Sequence, residues 1–420
     1  MSETVLSALP HPSHHRSWIE VDLSAVAHNA RTLLRRCGPR AGLTAVVKAD
    51  AYGHGAVAVA RAALEAGAGR LAVATCLEGQ ELRRAGVDAP VQILGATLPE
   101  EVEDAVGAGL VVSVHEPGIA RLATLAAGRH GRTAVVHLKI DTGMGRLGVL
   151  PGDALAAARE IARLPGLRLE GLFTHFADPA DGAYSRRQLA AFLDVAARLE
   201  EAGLGDADPA LASRLSPGPS ARPDARHGPR VTGRLIKHTA SSGAALLHPD
   251  SRLDAIRPGC ALYGFTGHAG LGRETGLRPA MAWRSTVAQI KDYPPGLSLG
   301  YNRTFTTTRP TRVAVLPVGY ADGYPRSFGN RADVLIGGRR AALVGIVSMD
   351  YAMADITGLP EVRVGAVATL VGRDGGEAIT LEELAERGDT IPYCIATGLG
   401  RRPGRGYVSP AAGTAGSGGA

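Results

Sequence analysis

The chain has 420 residues, 45% of them hydrophobic and 20% charged, which is typical of a globular protein with one large and one smaller domain. The net charge is +6, but the basic residues are scattered and aromatic residues make up only 4%, which argues against nucleic-acid binding. No apolar run approaches membrane-spanning length, and Met1–Arg16 lacks the apolar centre of a signal peptide, so we expect a cytoplasmic protein without membrane contact. The four cysteines have neither metal-site nor CxxC spacing, so we expect reduced thiols and no metal.

Small and polar residues dominate three segments, residues 1–16, about 203–233 and 409–420. The internal segment reads SPGPSARPDARHGPR in its middle. Such compositions bury too little apolar surface to fold, so we predict two disordered tails and one flexible surface insertion.

Short β-branched runs alternate with helically spaced segments between residues 17 and 272. Eight runs read as strands: Leu43–Val47, Leu71–Thr75, Val91–Gly95, Val111–Val114, Ala134–Ile140, Leu169–Thr174, Leu235–Lys237 and Ala255–Ile256. Eight strands alternating with helices predict an α/β fold, a TIM (β/α)8 barrel, over residues 17–272. An open doubly wound sheet is the alternative.

The pattern changes after Gly276, where short strands follow one another with turns between them. These strands are Val287–Ile290, Thr311–Leu316, Asp333–Ile336, Ala341–Ile346 and Val367–Val371. Helical spacing is rare there, apart from Leu381–Glu386. We therefore predict a second, mainly β domain over residues 280–408.

Lysine occurs only at positions 48, 139, 237 and 291, whereas arginine supplies nearly all the positive charge. Because arginine cannot be deprotonated in a protein, each lysine is a candidate for chemistry that needs a neutral amine. Lys48 ends the first predicted barrel strand, and in a TIM barrel such strand ends face the active site. Burial there would lower its pKa and favour Schiff-base formation, although a lysine that extends to solvent is the alternative.

The segment around Lys48, VVKADAYGHG, resembles the lysine motif of the alanine racemase family, whose members depend on pyridoxal 5′-phosphate (PLP) and have fold type III. The resemblance continues in family order through HLKIDTGMGRLG, GLFTHFA, IRPGCALYG, GYNRTF, LPVGYADGYPR and SMD. It covers roughly residues 17–408 apart from the insertion. It implies PLP as cofactor, a barrel followed by a β domain, and interconversion of L- and D-alanine.

The resemblance also assigns two bases on opposite faces of the cofactor. Lys48 would bind PLP covalently and serve as one base, and Tyr301 would serve as the other. Two bases are needed because one group reaches only one face of a planar carbanion. A phenol is largely protonated at neutral pH, so Tyr301 would need help, which the resemblance gives to His175.

By the same resemblance, Arg257 would face the pyridine nitrogen of PLP and keep it unprotonated, because arginine donates but does not release its proton. His238 would orient Arg257. A ring nitrogen left unprotonated makes PLP a weaker electron sink and disfavours transamination.

Tyr52 would hydrogen-bond the phosphate of PLP, and Ser242, Gly259 and Cys260 would hold it largely through backbone N–H groups at loop and helix starts. Arg146 would approach the phenolic oxygen of PLP or the substrate carboxylate. Lys139 is carbamylated in many family members, which would let it pair with Arg146. An unmodified Lys139 beside Arg146 would instead be repulsive and require compensation.

Members of the family are homodimers in which Tyr301 would act in the site of the partner chain. Met349 would offer a backbone N–H to the substrate carboxylate from the same domain. Tyr320 and Arg326 would line the entrance corridor.

Four residues depart from the common family pattern. Ser241 stands in place of Asn, Asn302 in place of Gly and Ile346 in place of Arg. Arg401 occupies the position of a phosphate-contacting Tyr in the closing segment TIPYCIATGLGRRPGR. The departures leave racemisation of another small amino acid, such as serine, as an alternative to alanine.

Two further alternatives are weaker. A non-catalytic PLP carrier would lack residues 280–408, and a decarboxylase of this fold would carry a cysteine-centred motif that is not recognisable around Cys394. A D-alanine supply for bacterial peptidoglycan is the cellular role that the resemblance implies.

Overall fold

The structure is a computed structural model, which describes residues 16–204, 235–266 and 273–408. The predicted tails and insertion lie outside these ranges, apart from Arg16, Gly203 and Leu204.

Eight parallel strands form a closed barrel. They are β2 (Gly42–Val46), β3 (Arg70–Val73), β4 (Val91–Ile93), β5 (Val112–Val114), β6 (Ala134–Lys139), β7 (Leu167–Phe173), β8 (Ile236–His238) and β9 (Ala255–Ile256). The ladders run β4-β3-β2-β9 and β5-β6-β7-β8. Parallel bridges Gln92–Val111 and Ser241–Arg257 join the two ladders at both edges. This closure excludes the open sheet and confirms the predicted TIM barrel.

Helices surround the barrel and bury their alanine-rich faces. They are α1 (Leu23–Cys37), α3 (Ala56–Glu65), α4 (Cys76–Arg84), α5 (Val102–Gly107), α6 (Pro117–His130), α7 (Ala154–Arg163), α8 (Gly182–Glu201) and α9 (Ser242–Leu247). A short left-handed turn, α2 (Lys48–Tyr52), follows β2. Side chains cap several of the helices: Asp22 accepts from the backbone N–H of Ala25, and Thr75 forms a capping box with Glu78.

The second domain is mainly β, as predicted. Its large sheet has the order β16 (Arg339–Ala342), β15 (Asp333–Ile336), β18 (Val367–Asp374), β10 (Met281–Thr286), β1 (Ser17–Asp22), β20 (Gly404–Val408), with β19 (Glu377–Ile379) beside β18. Smaller sheets pair β11 (Gln289–Tyr293), β14 (Thr311–Leu316) and β17 (Ala352–Asp355), and separately β12 (Ser298–Leu299) and β13 (Phe305–Thr306). Helices α10 (Leu381–Gly388) and α11 (Pro392–Thr397) follow, and the first contains the predicted helix. The predicted strand Ala341–Ile346 is shifted, because the chain leaves β16 after Ala342.

The strand β1 corrects the predicted domain boundary at residue 17. It runs antiparallel to β10 and parallel to β20, so it belongs to the second domain and not to the barrel. Its alternation buries Ile19 and Val21 completely, and the indole of Trp283 donates to the Ser17 hydroxyl at 2.7 Å. The two domains thus share one continuous hydrophobic core. No helix among the described residues is long and apolar enough to cross a bilayer.

Candidate active site

The carboxyl ends of the barrel strands bring together most of the predicted site residues. Lys48 follows β2, Lys139 ends β6, and His238 ends β8. His175 lies just beyond β7 and Arg257 just beyond β9. Parallel strands of a barrel present these ends to one mouth, which is where barrel enzymes place their chemistry.

The turn after Lys48 has an unusual backbone. Ala49, Asp50, Ala51 and Tyr52 have φ between 52° and 54°, although none of them is glycine. Such a conformation costs roughly 1–2 kcal/mol per residue, so the surroundings must hold it. The Glu78 carboxylate accepts from the Ala49 N–H at 2.8 Å, and Arg405 of β20 donates to the Gly53 carbonyl at 2.8 Å. The second domain therefore helps to fix the segment between Lys48 and Tyr52.

Lys48 is half-buried, and burial lowers the pKa of its amine, as the sequence analysis predicted. The nearby Arg146 guanidinium lowers this pKa further, whereas Glu78 raises it. A lowered pKa increases the neutral fraction of the amine, which is the form that attacks a carbonyl.

Lys139 is only 6% exposed, although it is charged in its unmodified form. Burial, followed by the cations of Arg146, Arg257 and Lys48, lowers its pKa to about 8. Two groups compensate in part: the Asp141 carboxylate raises this pKa, and the Phe173 ring lies with its centroid 5.3 Å from Nζ. The expected repulsion between Lys139 and Arg146 is therefore present and only partly balanced.

Arg146 lies in a loop that Asp141 organises. The Asp141 carboxylate accepts from the backbone N–H groups of Gly143, Met144, Gly145 and Arg146 at 2.9–3.1 Å. Burial would raise the pKa of Asp141, but these four donors lower it overall. The carboxylate is thus occupied by the loop backbone, and the Arg146 side chain is exposed at the mouth.

Arg257 is 4% exposed and held by four hydrogen bonds. Its Nη1 lies 2.9 Å from Nδ1 of His238 and donates to the His238 carbonyl at 2.7 Å. Its Nη2 donates to the carbonyls of Thr174 and Thr239 at 2.7 and 3.1 Å. Burial lowers the pKa of Arg257 to about 9, which leaves it a cation at neutral pH. Within the part of the chain that the structure describes, hydrogen bonds occupy both Nη1 and Nη2 of Arg257. The Nε–H of Arg257 is therefore the donor available to a ligand.

His175 is surrounded by the same cations. Burial, followed by Arg257, Arg146, Lys139 and Lys48, lowers its pKa to about 3. The imidazole is therefore neutral at physiological pH, and its unprotonated ring nitrogen can accept a hydrogen bond.

A second group of predicted residues surrounds the start of α9. The Ser242 hydroxyl accepts from the backbone N–H of Gly259 at 2.9 Å and of Ala261 at 3.2 Å. Gly259 lies against Tyr52, since a Cβ built on Gly259 would be 2.4 Å from the Tyr52 hydroxyl oxygen. Cys260 is buried beside them, and the Tyr393 hydroxyl donates to its Sγ at 3.0 Å. Two hydroxyls and several backbone N–H groups thus converge at this end of the mouth.

The remaining predicted residues lie on the second domain. Tyr301 is 69% exposed and lines a cavity of about 750 Å³ with Ile346, Tyr351 and Met353. The lining of this cavity comes entirely from the second domain. Met349, Tyr320 and Arg326 are also exposed. Within one chain, therefore, no described contact joins Tyr301 to Lys48.

The structure accounts for one departure from the family pattern and leaves three without an explanation. Asn302 has φ +58°, and after glycine Asn is among the residues that tolerate this conformation best. Arg401 is exposed, whereas Tyr393 of the same segment reaches Cys260, and its ring is tilted against that of Tyr52 with the centroids 6.0 Å apart. Nothing in the structure explains Ser241 at the start of α9 or Ile346 beside Tyr301.

Sequence reasoning missed several polar residues of this site. His137 and Glu170 are buried inside strands β6 and β7, and Glu78 caps α4 next to Lys48. A histidine and a glutamate within strands predicted to be buried were the available signal, because such groups need partners. Tyr393 had no comparable signal beyond its place in the closing segment.

These features define a two-domain barrel protein whose basic, lysine-centred barrel mouth suits a small anionic molecule. The family described as "Alanine racemase, N-terminal domain" matches residues 21–216, and the family described as "Alanine racemase, C-terminal domain" matches residues 280–407. The chain belongs to the alanine racemase family.

Individual relatives agree over nearly the whole length. The alanine racemase of Symbiobacterium thermophilum is 42% identical over 393 residues, which are 93% of this chain and 97% of that protein. The crystal structure of alanine racemase from D-cycloserine-producing Streptomyces lavendulae has a TM-score of 0.82 at 35% identity, covering 94% of this chain and 98% of that one. The alanine racemase from Bacillus anthracis with bound L-Ala-P has a TM-score of 0.81 at 33% identity, covering 94% and 96%. The predicted family, fold and enzyme class, an amino-acid isomerase, are thereby confirmed.

Proposed function

We propose that this protein interconverts L- and D-alanine with PLP held at the carboxyl-terminal mouth of the barrel. The observation that carries the proposal is the convergence of four cations, Lys48, Lys139, Arg146 and Arg257. Three of them lower the pKa of Lys139, and all four lower the pKa of His175. Among the charges of described residues that shift the pKa values of Lys48 and Lys139, only the carboxylates of Glu78 and Asp141 raise them. Such an excess of positive charge stabilises anionic ligands, and both PLP and an amino acid carry anionic groups.

The residues present fit PLP at three points. Lys48 offers a primary amine of lowered pKa for the aldehyde carbon. Tyr52, Ser242 and the backbone N–H of Cys260 form the set that would hold the phosphate, and the absent side chain of Gly259, whose own N–H donates to Ser242, leaves room for Tyr52. Arg257 would face the pyridine nitrogen with its Nε–H. Bound PLP would supply the acidification of the amino acid's Cα–H.

The chain's own task is then to move a proton at Cα from one face to the other. In this proposal the Nζ of Lys48 takes or returns the proton on one face, and the hydroxyl of Tyr301 does so on the other. Neutral His175 accepts a hydrogen bond from the Tyr301 hydroxyl and orients it. Arg146 and the backbone N–H of Met349 bind the substrate carboxylate and orient Cα between the two bases.

A homodimer follows from the placement of the second base. Tyr301 and Met349 lie exposed on the second domain, and Tyr301 lines a wide cavity together with the exposed ring of Tyr351; a contiguous group of exposed apolar side chains marks an interaction site. We propose that Tyr301 of one chain enters the mouth of a second copy, where Tyr320 and Arg326 line the entrance corridor. A monomer would then be inactive because each of its sites would lack one base.

Lys139 is proposed to be carbamylated. Carbon dioxide reacts with neutral amines, and a pKa of about 8 gives Lys139 far more neutral amine than an ordinary lysine has. The product is an anion, which would convert the repulsion with Arg146 and Arg257 into attraction.

Location in the cytoplasm and supply of D-alanine for peptidoglycan belong to the same proposal.

The decisive experiment incubates the purified protein and PLP with L-alanine or L-serine in heavy water. Chirality and α-deuterium are followed together. Rapid formation of deuterated D-alanine is expected. Faster turnover of serine would overturn alanine as the substrate and make Ile346 and Ser241 the candidate determinants of specificity. Bound PLP without exchange on either amino acid would refute the racemase proposal.

A further inference from the structure

A chain of hydrogen bonds crosses the barrel interior behind Arg257. Nδ1 of His238 lies 2.9 Å from Nη1 of Arg257, and Nε2 of His238 lies 2.8 Å from Nδ1 of His137. Nε2 of His137 lies 3.0 Å from Oε2 of Glu170. The Glu170 carboxylate ends the chain in ion pairs with Arg70 at 2.6 Å and Arg168 at 2.8 Å. We call Arg257, His238, His137 and Glu170 the relay.

The direction of every hydrogen bond in the relay is fixed by its two ends. Arg257 can only donate, so Nδ1 of His238 must accept and its proton must reside on Nε2. That proton is donated to Nδ1 of His137, whose own proton must then be on Nε2 and point to Glu170. An ionised Glu170 can only accept, and its two arginine partners keep it ionised.

The charges around the relay agree with this assignment. Burial lowers the pKa of both histidines, so both are neutral. The Glu170 carboxylate raises the pKa of His137 in part but not that of His238. Burial would raise the pKa of Glu170, but His137 and Arg70 hold it well below its usual range. All four relay residues are at most 8% exposed, so solvent does not compete for these bonds.

We propose that Glu170 and His137 are positioning residues for the cofactor: they fix the His238 tautomer that accepts from Arg257 and thereby hold the Arg257 guanidinium as a donor to the cofactor ring. If His238 carried its proton on Nδ1, that proton would face Arg257, and the guanidinium would be repelled from its place. The relay would thus suppress transamination, although Glu170 and His137 lie several residues away from the reacting carbon. The inference rests on the proposed function, since it assumes that PLP binds beside Arg257.

The test compares His137→Leu, which removes both the acceptor and the donor, with His137→Gln, which can supply both from its amide. Gln92→Leu is the matched control, because Gln92 is a buried polar residue of strand β4 outside the relay. For each purified holoenzyme we would record the visible spectrum of lysine-bound PLP from pH 6 to 9 without substrate. We would also measure pyruvate formed per racemisation event with L-alanine.

Transamination converts alanine and PLP into pyruvate and pyridoxamine phosphate in equal amounts, so the two products check each other. We expect His137→Leu to raise the ratio of pyruvate to racemisation about tenfold or more, the scale of a lost hydrogen bond to a charged group. Its spectrum should become pH-dependent, because the ring nitrogen becomes free to titrate. His137→Gln should return both readouts toward the wild-type values, and Gln92→Leu should move neither.

Identical readouts for His137→Leu and Gln92→Leu would overturn the inference. Should His137→Leu fail to fold, His137→Phe tests the same point, because it keeps a planar ring but can neither accept from His238 nor donate to Glu170; a wild-type ratio and spectrum in that variant would also overturn the inference. Failure of the proposed function is distinguishable, because the wild-type protein would then show no lysine-bound PLP or no racemisation.

Discussion

Replacing Gly259 with alanine tests the packing at the proposed phosphate end of the site. The new Cβ would lie 2.4 Å from the hydroxyl oxygen and 2.9 Å from Cζ of Tyr52, where ordinary contacts are 3.4–4 Å. Tyr52 would have to move by about 1 Å. The rings of Tyr263 and Tyr393 confine it, with centroids 5.0 and 6.0 Å away.

The expected loss is one charge-assisted hydrogen bond to phosphate, about 1.5–3 kcal/mol, which corresponds to a roughly 10- to 100-fold weaker affinity for PLP. The assay titrates the apoprotein with PLP and follows absorbance and protein fluorescence. Gly128→Ala is the matched control, because a Cβ added at Gly128 would meet no atom within 4 Å.

A double-substitution cycle sharpens this test. In a Tyr52→Phe background the hydroxyl is gone, so Gly259→Ala should cost clearly less affinity than it does in the wild type. Additive effects of the two changes, or wild-type affinity in Gly259→Ala alone, would refute the reasoning.

Three further predictions concern the two bases and Lys139. Lys48→Ala should abolish the visible absorbance of lysine-bound PLP and all racemisation, whereas Lys237→Ala, which breaks only an ion pair with Glu200, should change neither. Tyr301→Phe should leave that absorbance intact but reduce interconversion of alanine by orders of magnitude; full activity in both directions would remove Tyr301 as a base. The lowered pKa of Lys139, about 8 against 10.5 for the free amine, means that the unfolded apoprotein binds more protons between these values. With carbon dioxide excluded, the free energy of unfolding should therefore increase by up to about 3 kcal/mol as the pH rises from about 8 to 10.5. Chemical denaturation should show that Lys139→Met lacks this increase. An unchanged pH dependence in Lys139→Met would contradict the assignment.

Local sequence was sufficient to predict the barrel and the position of Lys48. Strands β2 to β9 are short apolar runs bounded by polar or small residues, and their order along the chain is also their order around the barrel. The lysine at the end of β2 could therefore be placed at the mouth before any tertiary contact was known. Burial at a strand end is enough to explain the direction of its pKa shift.

Features that depend on distant parts of the chain could not be predicted in the same way. Strand β1 pairs with β10, more than 250 residues away, and no local pattern distinguishes it from a barrel strand. The left-handed turn reads KADAY, without the glycine that usually indicates positive φ. The other relay residues, His137, Glu170 and His238, lie on strands β6, β7 and β8, so the relay appears only when the barrel closes.

The membership of β1 makes the second domain discontinuous: the chain begins it, leaves to build the whole barrel, and then returns to finish it. In the large sheet β20 borders β1 alone, so a fragment that starts at residue 280 would lack β1 and leave its final strand without a neighbour. The barrel is in this sense an insertion within the β domain. Cutting the polypeptide between the two units would yield no intact second unit, and we expect the protein to unfold as one cooperative body.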